Sequence, residues 1–467
     1  VVAIPLPATL KSGETAVLML DWDARLATLP RRQGRAGRHY DWAQWYPRIA
    51  VYENGAWQTQ PLLPQGEFYG EFASYDITLD VAQDQVIGAT GVPVEGDPGW
   101  RLAGGDEPTY RRDAYPARAA EPLGLLEGAP AADRKRVRWR AEAVHHFGWS
   151  NDPAYRYEQG AVGEIPIHVL YQASADTAWG GGIAVRRTER ALGWLQQLFG
   201  PDPWPQLTNV HRLESGGTEF PMLIMDGSAS EGLIVHEATH QYVHGALANN
   251  EWKEGWLDEG FDSFISNWYA EDHGGEDVWT RTLDALARRE RAGQTEPIAL
   301  ASAEFSSPAL YSAMTYTKPS VVFYMLRELV GEETMRRILR TYYERHKLSH
   351  VTEADLRAVV NQVTGKDYGW FFDQWIHTTD TLDYGVGEVS TQRQADGRWR
   401  TRVQVLRLGR AWMPVTLQVG DVRRTLESRE RAQTVEIVTA TRPAEVVLDP
   451  DRTLLDIDPT NNRKVVR

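Results

Sequence analysis

Residues 233–264 read LIVHEATHQYVHGALANNEWKEGWLDEGFDSF and carry the most specific information about fold and chemistry in the chain. His236 and His240 are four residues apart in a segment whose apolar spacing predicts a helix over 231–246. Both imidazoles therefore project from one helix face and can bind one ion. Glu237 lies beside the first histidine, where its carboxylate can reach a water molecule on that ion. The segment predicts a metal site with a carboxylate base.

A candidate third ligand follows at a suitable distance. Glu259 comes after His240 with 18 residues between them, in the block Trp256–Phe261. A second helix packed antiparallel on the first would bring Glu259 to the metal. Two histidines and one glutamate leave one tetrahedral position open for water, which is the layout of catalytic zinc sites. We therefore expect one zinc ion per chain, bound by His236, His240 and Glu259.

Two further polar residues lie close to these ligands in sequence. His244 continues the same predicted helix face, but the third histidine of a metzincin would lie six residues past His240. We interpret His244 as a residue at the rim of the site or behind a ligand. Asp262, three residues past Glu259, is interpreted as a carboxylate on a helix face, with orientation of a ligand histidine as the alternative.

The composition excludes several classes of protein. The 467 residues contain no cysteine, which excludes disulfides, thiolate metal sites and a cysteine nucleophile. The net charge of -14 does not suit phosphate neutralisation, so we expect no nucleic-acid partner. No run of about 18 apolar residues occurs, so we expect no membrane span. The chain starts at Val1 without Met, which suggests a processed product, and we expect an exported protein, periplasmic or secreted, rather than a cytoplasmic one.

Changes in residue pattern along the chain predict three domains. Residues 1–150 show the period-2 alternation of half-buried strands, as in Ile77–Val81. Residues 151–383 change to helical spacing of apolar residues. Residues 384–467 return to short, regularly spaced strands and include the hairpin-type turn Asp396-Gly397, which indicates a small β-sandwich. The predicted fold class is multidomain α+β.

Taken together, these residues resemble the aminopeptidase N-like gluzincin zinc metallopeptidases, which include the leukotriene hydrolase-type aminopeptidases. The H-E-x-x-H motif, the 18-residue gap and the W-L-x-E-G-F block match that family closely. Gly216–Pro221 (GGTEFP) resembles its G-x-M-E-N exopeptidase motif, Tyr316–Lys318 its Y-x-K-G motif, and Gly200–Pro205 (GPDPWP) the loop before its active-site strand. The resemblance covers about residues 40–380. It implies an N-terminal β-saddle, a thermolysin-like α+β catalytic domain and a C-terminal β-sandwich, in a short form that lacks the family's large C-terminal helical domain.

The family pattern is not matched everywhere. Thr218 and Phe220 stand where the family has Met and Asn, Pro319 replaces the Gly of Y-x-K-G, and Asp258 replaces a common Asn. The first two substitutions affect the motif that selects the end of a peptide. We therefore keep a zinc endopeptidase on the same fold as the alternative function.

The resemblance implies a role for each motif residue. Glu237 is the general base, and Tyr316 donates a hydrogen bond to the tetrahedral oxyanion. Glu219 pairs with the free α-ammonium of a peptide substrate, while Gly216 and Gly217 let the backbone approach that peptide as an edge strand. The predicted function is a zinc-dependent aminopeptidase that hydrolyses N-terminal residues from peptides with a free N-terminus.

Overall fold

The chain forms two compact units in a computed structural model, which describes residues 1–60, 65–66, 68–104, 107–115, 128–275 and 277–466. Within these residues, the first unit contains positions up to Ala248 apart from Gln65 and Gly66, together with Lys347–Ser349. The second unit contains Gln65, Gly66 and the remaining positions from Asn249 onward.

The N-terminal part of the first unit consists of small antiparallel sheets. One sheet has the strand order β5-β8-β7 and another the order β1-β2-β9-β6. Leu79 of β5 lies opposite Val137 of β8, and Ile77 lies opposite Trp139, so the predicted period-2 strands are confirmed. The elements are β1 (Gly34–Ala36), β2 (His39–Trp42), β3 (Tyr52–Glu53), β4 (Ala56–Trp57), β5 (Ala73–Ala82), β6 (Val86–Ala89), β7 (Val92–Glu95), α1 (Trp100–Ala103), β8 (Arg134–Val144) and β9 (Trp149–Asp152).

A mixed five-stranded sheet follows, in the order β10-β11-β12-β14-β13. Its three central strands are parallel and its two edge strands antiparallel. Helix α3 buries an apolar face that includes Ala191, Leu192 and Leu195 and packs against α4, in agreement with the helical spacing of apolar residues in this part of the chain. The elements are β10 (Tyr155–Val162), β11 (Ile165–Gln172), α2 (Asp176–Trp179), α3 (Ile183–Leu198), β12 (Leu207–His211), β13 (Glu219–Phe220), β14 (Leu223–Asp226), α4 (Glu231–Thr239) and β15 (Leu247–Asn249).

The first part of the second unit is helical. Helix α6 packs against α9, where the Phe261 and Phe323 rings stack with centroids 4.4 Å apart. Its elements are α5 (Glu251–Glu254), α6 (Glu259–Asp272), α7 (Val278–Arg291), α8 (Pro308–Ser312), α9 (Lys318–Val330), α10 (Glu332–His346), β16 (Ser349–Val351), α11 (Glu353–Thr364) and α12 (Gly369–His377). Among the described residues, none of the helices combines the length and the apolar character needed to cross a bilayer.

The C-terminal part of the second unit consists of two antiparallel sheets with the orders β17-β18-β21 and β20-β19-β22-β23. The predicted hairpin turn lies between β17 and β18, where Gly397 has a φ of +86° that suits glycine. Val403 and Val405 of one sheet and Val415 and Leu417 of the other are buried. The strands are β17 (Tyr384–Arg393), β18 (Trp399–Arg407), β19 (Val415–Val419), β20 (Val422–Leu426), β21 (Ala432–Thr439), β22 (Glu445–Leu448) and β23 (Arg463–Val465).

These elements confirm the predicted α+β class, with strands at both ends and helices between them. The boundary between the two units falls between Ala248 and Asn249, inside the predicted catalytic domain 151–383. Strand β9 extends past residue 150 and pairs with β2 and β6. The division into domains 1–150, 151–383 and 384–467 stays a prediction.

A buried histidine in the first unit predicts a loss of stability at alkaline pH. His39 lies between Asp41 at 2.9 Å and Asp152 at 3.0 Å. Burial lowers its pKa, but the hydrogen bonds with Asp152 and Asp41 outweigh burial and raise the pKa from 6.5 to about 9. The imidazolium therefore stabilises the fold fully below pH 6.5, and this contribution, about 2–3 kcal/mol, is lost as the pH rises through 9.

The measurement is the free energy of unfolding of the wild type and of His39→Asn at pH 6 and at pH 10. We expect the difference between the two proteins to shrink by about 2–3 kcal/mol at the higher pH. A difference that is the same at both pH values would contradict this assignment of the charge.

Candidate active site

Helix α4 presents the two histidines of the predicted metal site. Ile234 and Val235 are buried where α4 packs against β14, while His236 is half-buried. The ring centroids of His236 and His240 are 4.8 Å apart, with planes at 81°. His240 Nδ1 lies 3.3 Å from the carbonyl oxygen of Val243. Since Nδ1–H donates to that carbonyl, Nε2 keeps its lone pair for a metal.

The carboxylate of Glu237 lies against the backbone of Gly217. A methyl group on Gly217 would be 1.9 Å from Glu237 Oε1 and 2.0 Å from Cδ, so only glycine leaves room for the carboxylate there. Glu237 is 3% exposed, and its Oε2 has no hydrogen-bond partner among the described residues. Burial raises the pKa of this carboxyl well above its usual value, His236 lowers it, and the charge of Glu219 raises it. Glu219 and Glu237 are thus close enough to interact electrostatically.

The loop before β13 is held by one buried arginine. Arg212 donates to Thr218 Oγ1 through Nη1 and to the carbonyl oxygen of Ser215 through Nη2, at 2.7 Å for the latter. Gly216 has a φ of +75°, and its carbonyl oxygen accepts from the Gly227 N–H at 2.8 Å. Thr218, which departs from the family pattern, is therefore part of the support of the edge strand. The other departure, Phe220, is also buried, and its ring packs against Gly148.

Asp226 is a buried carboxylate that the sequence analysis missed. It ends β14, and neither of its carboxylate oxygens has a hydrogen-bond partner among the described residues. Burial raises the pKa of Asp226 to about 7. Asn209, Arg212 and His236 lower this pKa and so offset part of the effect of burial. An acidic residue at the end of the apolar run Leu223–Met225 was the signal that could have identified it.

In the second unit, Glu259 and Tyr316 are hydrogen-bonded to each other. Glu259 is buried at the start of α6, and the Tyr316 hydroxyl donates to its Oε1 at 2.6 Å. Tyr316 belongs to a single π-helical turn, Ala313–Thr317, which links α8 to α9. Such turns change the direction of a side chain and occur often at functional sites.

Pro319, which departs from the family pattern, packs against Gly260 at the start of α6. A methyl group on Gly260 would lie 2.4 Å from Pro319 Cγ and 2.7 Å from the carbonyl oxygen of Thr315. Glycine after Glu259 therefore lets α6 pack directly on the π-helical turn. Lys318 adds a buried ion pair, since its Nζ lies 2.8 Å from Glu290 Oε1 and 3.2 Å from Thr295 Oγ1.

The predicted site residues are divided between the two units. Gly216, Gly217, Glu219, His236, Glu237 and His240 belong to the first unit, and Glu259, Asp262 and Tyr316 belong to the second. Asp262 lies on α6 and accepts from Ser266 Oγ at 2.9 Å. The roles of these residues as metal ligands, base and substrate anchors stay predictions.

The prediction that His244 continues the helix face needs a correction. The α-helix ends at Thr239, with His240 as its C-cap, so the helix predicted over 231–246 is confirmed as far as Thr239 and wrong beyond it. His244 has a φ of +85° and leaves the helix face. Its ring lies 4.6 Å from that of His145 and 6.2 Å from that of His240, measured between centroids.

His236 and Glu237 lie on α4 and His240 caps it, and an H-E-x-x-H motif at a helix is typical of zinc metallopeptidases. Comparison with known proteins agrees: residues 224–375 match the Peptidase family M1 domain. This match covers about a third of the chain.

Relatives with curated names are aminopeptidases that are much longer than the matched segments. The chain is 27% identical to aminopeptidase N of Lactobacillus helveticus over 156 residues, which are 31% of this chain and 18% of that protein. It is 24% identical to mitochondrial aminopeptidase 2 of Saccharomyces cerevisiae over 270 residues, which are 52% of this chain and 27% of that protein.

A solved structure has a similar fold. The crystal structure of Legionella pneumophila aminopeptidase A in complex with aspartic acid matches with a TM-score of 0.61 and 16% identity. The match covers 83% of this chain and 44% of that chain. This likeness extends well beyond the segment that matches the M1 domain.

Proposed function

We propose that this protein is a zinc-dependent aminopeptidase that removes N-terminal residues from peptides. The observation that carries the proposal is the position of Glu237, buried against Gly217 next to two histidines and close to the charge of Glu219. A base and an acidic anchor for a cation thus lie within one compact unit. The aminopeptidase names of the relatives support the same reaction.

The donor set fits a zinc ion. Zinc prefers histidine nitrogen and carboxylate oxygen, and the hydrogen bond at His240 Nδ1 leaves Nε2 for the metal. We propose that His236, His240 and Glu259 hold one zinc ion, as the spacing of the motif predicts. The hydrogen bond between Tyr316 and Glu259 supports a place for the tyrosine beside this ligand.

The mechanism follows from the residues around that ion. A zinc ion held there would supply Lewis acidity, which polarises the scissile carbonyl and lowers the pKa of water toward ~7. Glu237 accepts the proton of the attacking water and delivers it to the leaving amine. Tyr316 donates a hydrogen bond to the oxyanion. Glu219 holds the α-ammonium, so that the first peptide bond is the one presented to the water.

The alternative, a zinc endopeptidase, depended on Thr218 and Phe220. Both side chains are 2% exposed, one held by Arg212 and the other packed on Gly148. Thr218 and Phe220 therefore help to support β13, and Glu219 lies on that strand. This favours the aminopeptidase over the endopeptidase.

The test compares aminoacyl-arylamides with their N-acetylated counterparts. We expect cleavage of the free-amine substrates alone. Glu219→Gln should lower kcat/KM on these substrates about 10- to 100-fold, because a hydrogen bond to a charged group is worth about 1.5–3 kcal/mol. Glu231→Gln is the matched control, since Glu231 lies on α4, is partly exposed and pairs with Arg190 at 2.9 Å. Equal cleavage of the acetylated series, unaffected by Glu219→Gln, would establish the endopeptidase instead.

A further inference from the structure

Gln241, the residue after the predicted ligand His240, bonds two backbone groups of the turn between β13 and β14. It is 1% exposed. Its Nε2 donates to the Phe220 carbonyl oxygen at 3.1 Å, and its Oε1 accepts from the Met222 N–H at 2.7 Å. One amide side chain therefore connects the chain segment of the metal-binding motif to the backbone of the edge strand.

The turn that Gln241 holds has an unfavourable backbone conformation. Phe220 pairs with Leu223, so Pro221 and Met222 are its two central residues. Met222 has a φ of +64°, in the left-handed region where a type II turn normally has glycine. A side chain with a Cβ is strained in this region and needs support from its surroundings. Gln241 supplies part of that support.

The strand that precedes the turn has few bonds of its own. Strand β13 contains only Glu219 and Phe220 and lies at the edge of the sheet. Thr218 and Met225 exchange backbone hydrogen bonds of 3.0 and 2.9 Å just before it. The position of Glu219 is therefore set on one side by this pair and on the other by the turn.

We propose that Gln241 is a positioning residue that fixes the distance between Glu219 and the residues on α4. Gln241 affects the binding of the free α-ammonium of a peptide only through Glu219. This inference rests on the proposed aminopeptidase function and deepens it. The amide of Gln241 thereby keeps Glu219, which binds the α-ammonium, at a distance of one substrate residue from the peptide bond that is hydrolysed.

The test uses Gln241→Met, which keeps the size of the side chain and removes both hydrogen bonds. On aminoacyl-arylamides we expect a raised KM and a kcat/KM lowered about 10- to 100-fold, the usual consequence of a substrate misplaced by about 1 Å. The zinc content of the protein should not change. Where Gln241→Met does not fold, Gln241→Leu gives the same test, since it also removes both hydrogen bonds.

A double-mutant cycle separates positioning from a structural role. If Gln241 acts on the substrate only through Glu219, adding Gln241→Met to Glu219→Gln should lower kcat/KM little further than Glu219→Gln alone. Wild-type kinetics in Gln241→Met, or losses of the two single variants that multiply in full in the double variant, would overturn the inference while the proposed function stands. A wild type that cleaves acetylated substrates equally well would overturn both.

Discussion

Replacing Glu237 by glutamine is expected to lower kcat by about 10³- to 10⁴-fold, because the amide cannot accept the proton of the attacking water. The protein should fold and bind one zinc ion as before, since glutamine has nearly the same size and Glu237 is not among the proposed ligands. The measurement combines steady-state kinetics on an aminoacyl-arylamide with the zinc content of the purified protein.

The control for this substitution is Glu231→Gln on the same helix, which should keep full activity. Glu231 is partly exposed, and its nearest described cation is Arg190. A Glu237→Gln protein that binds zinc and keeps more than about a tenth of the wild-type kcat would remove Glu237 from the role of base.

Gly217→Ala is expected to lower kcat about 100-fold or more while the protein remains folded. The new methyl group would lie 1.9 Å from Glu237 Oε1, so the carboxylate has to move by more than 1 Å. Displacements of that size at a catalytic group cost about 100-fold in rate. Stability should fall by about 1–3 kcal/mol, because Cγ of the buried Glu237 side chain would also lie 2.4 Å from the new methyl group and has to move. Kinetics and thermal unfolding of the same preparation measure both effects.

Gly232→Ala is the matched control for Gly217→Ala. Gly232 lies on α4, and a methyl group there meets no atom within 4 Å. The control should have wild-type kinetics and equal or higher stability, because alanine favours a helix over glycine by about 1 kcal/mol. If Gly217→Ala is as active as Gly232→Ala, Glu237 does not act from the position against Gly217.

The sequence predicts those features that depend on local pattern. The helix from Ile183, the strands around Leu79 and Val137, and the hairpin at Gly397 all follow from the spacing of apolar residues and from turn chemistry. The pairing of His236 with His240 follows in the same way from a separation of four residues. Such features need no knowledge of the partners that a residue meets elsewhere in the chain.

The end of α4 could not be predicted from spacing, since the apolar residues Tyr242, Val243, Ala246 and Leu247 continue the helical pattern. The backbone instead changes to wider turns, with the Gly245 N–H bonded to the His240 carbonyl oxygen at 2.8 Å. A methyl group on Gly245 would lie 2.6 Å from that same oxygen, so the turn depends on glycine. His244 is turned away from the helix face as a result.

Two buried polar residues behind the site were also impossible to predict from the sequence pattern. Arg212 and Gln241 are unremarkable in sequence, and each acquires its role only from groups that the fold brings near. Gly217 shows the same limit in another way. The resemblance implies close approach of a peptide there, which stays a prediction, and the fold adds that the missing side chain leaves room for Glu237.

The most direct test of the central claim is mass spectrometry of the products from a peptide of six residues with a free N-terminus. The zinc-loaded protein should release single residues in order from the N-terminus. Removal of the metal by a chelator should stop the reaction, and added zinc should restore it. Internal fragments, or cleavage that continues without metal, would contradict the account of this chain as a zinc aminopeptidase.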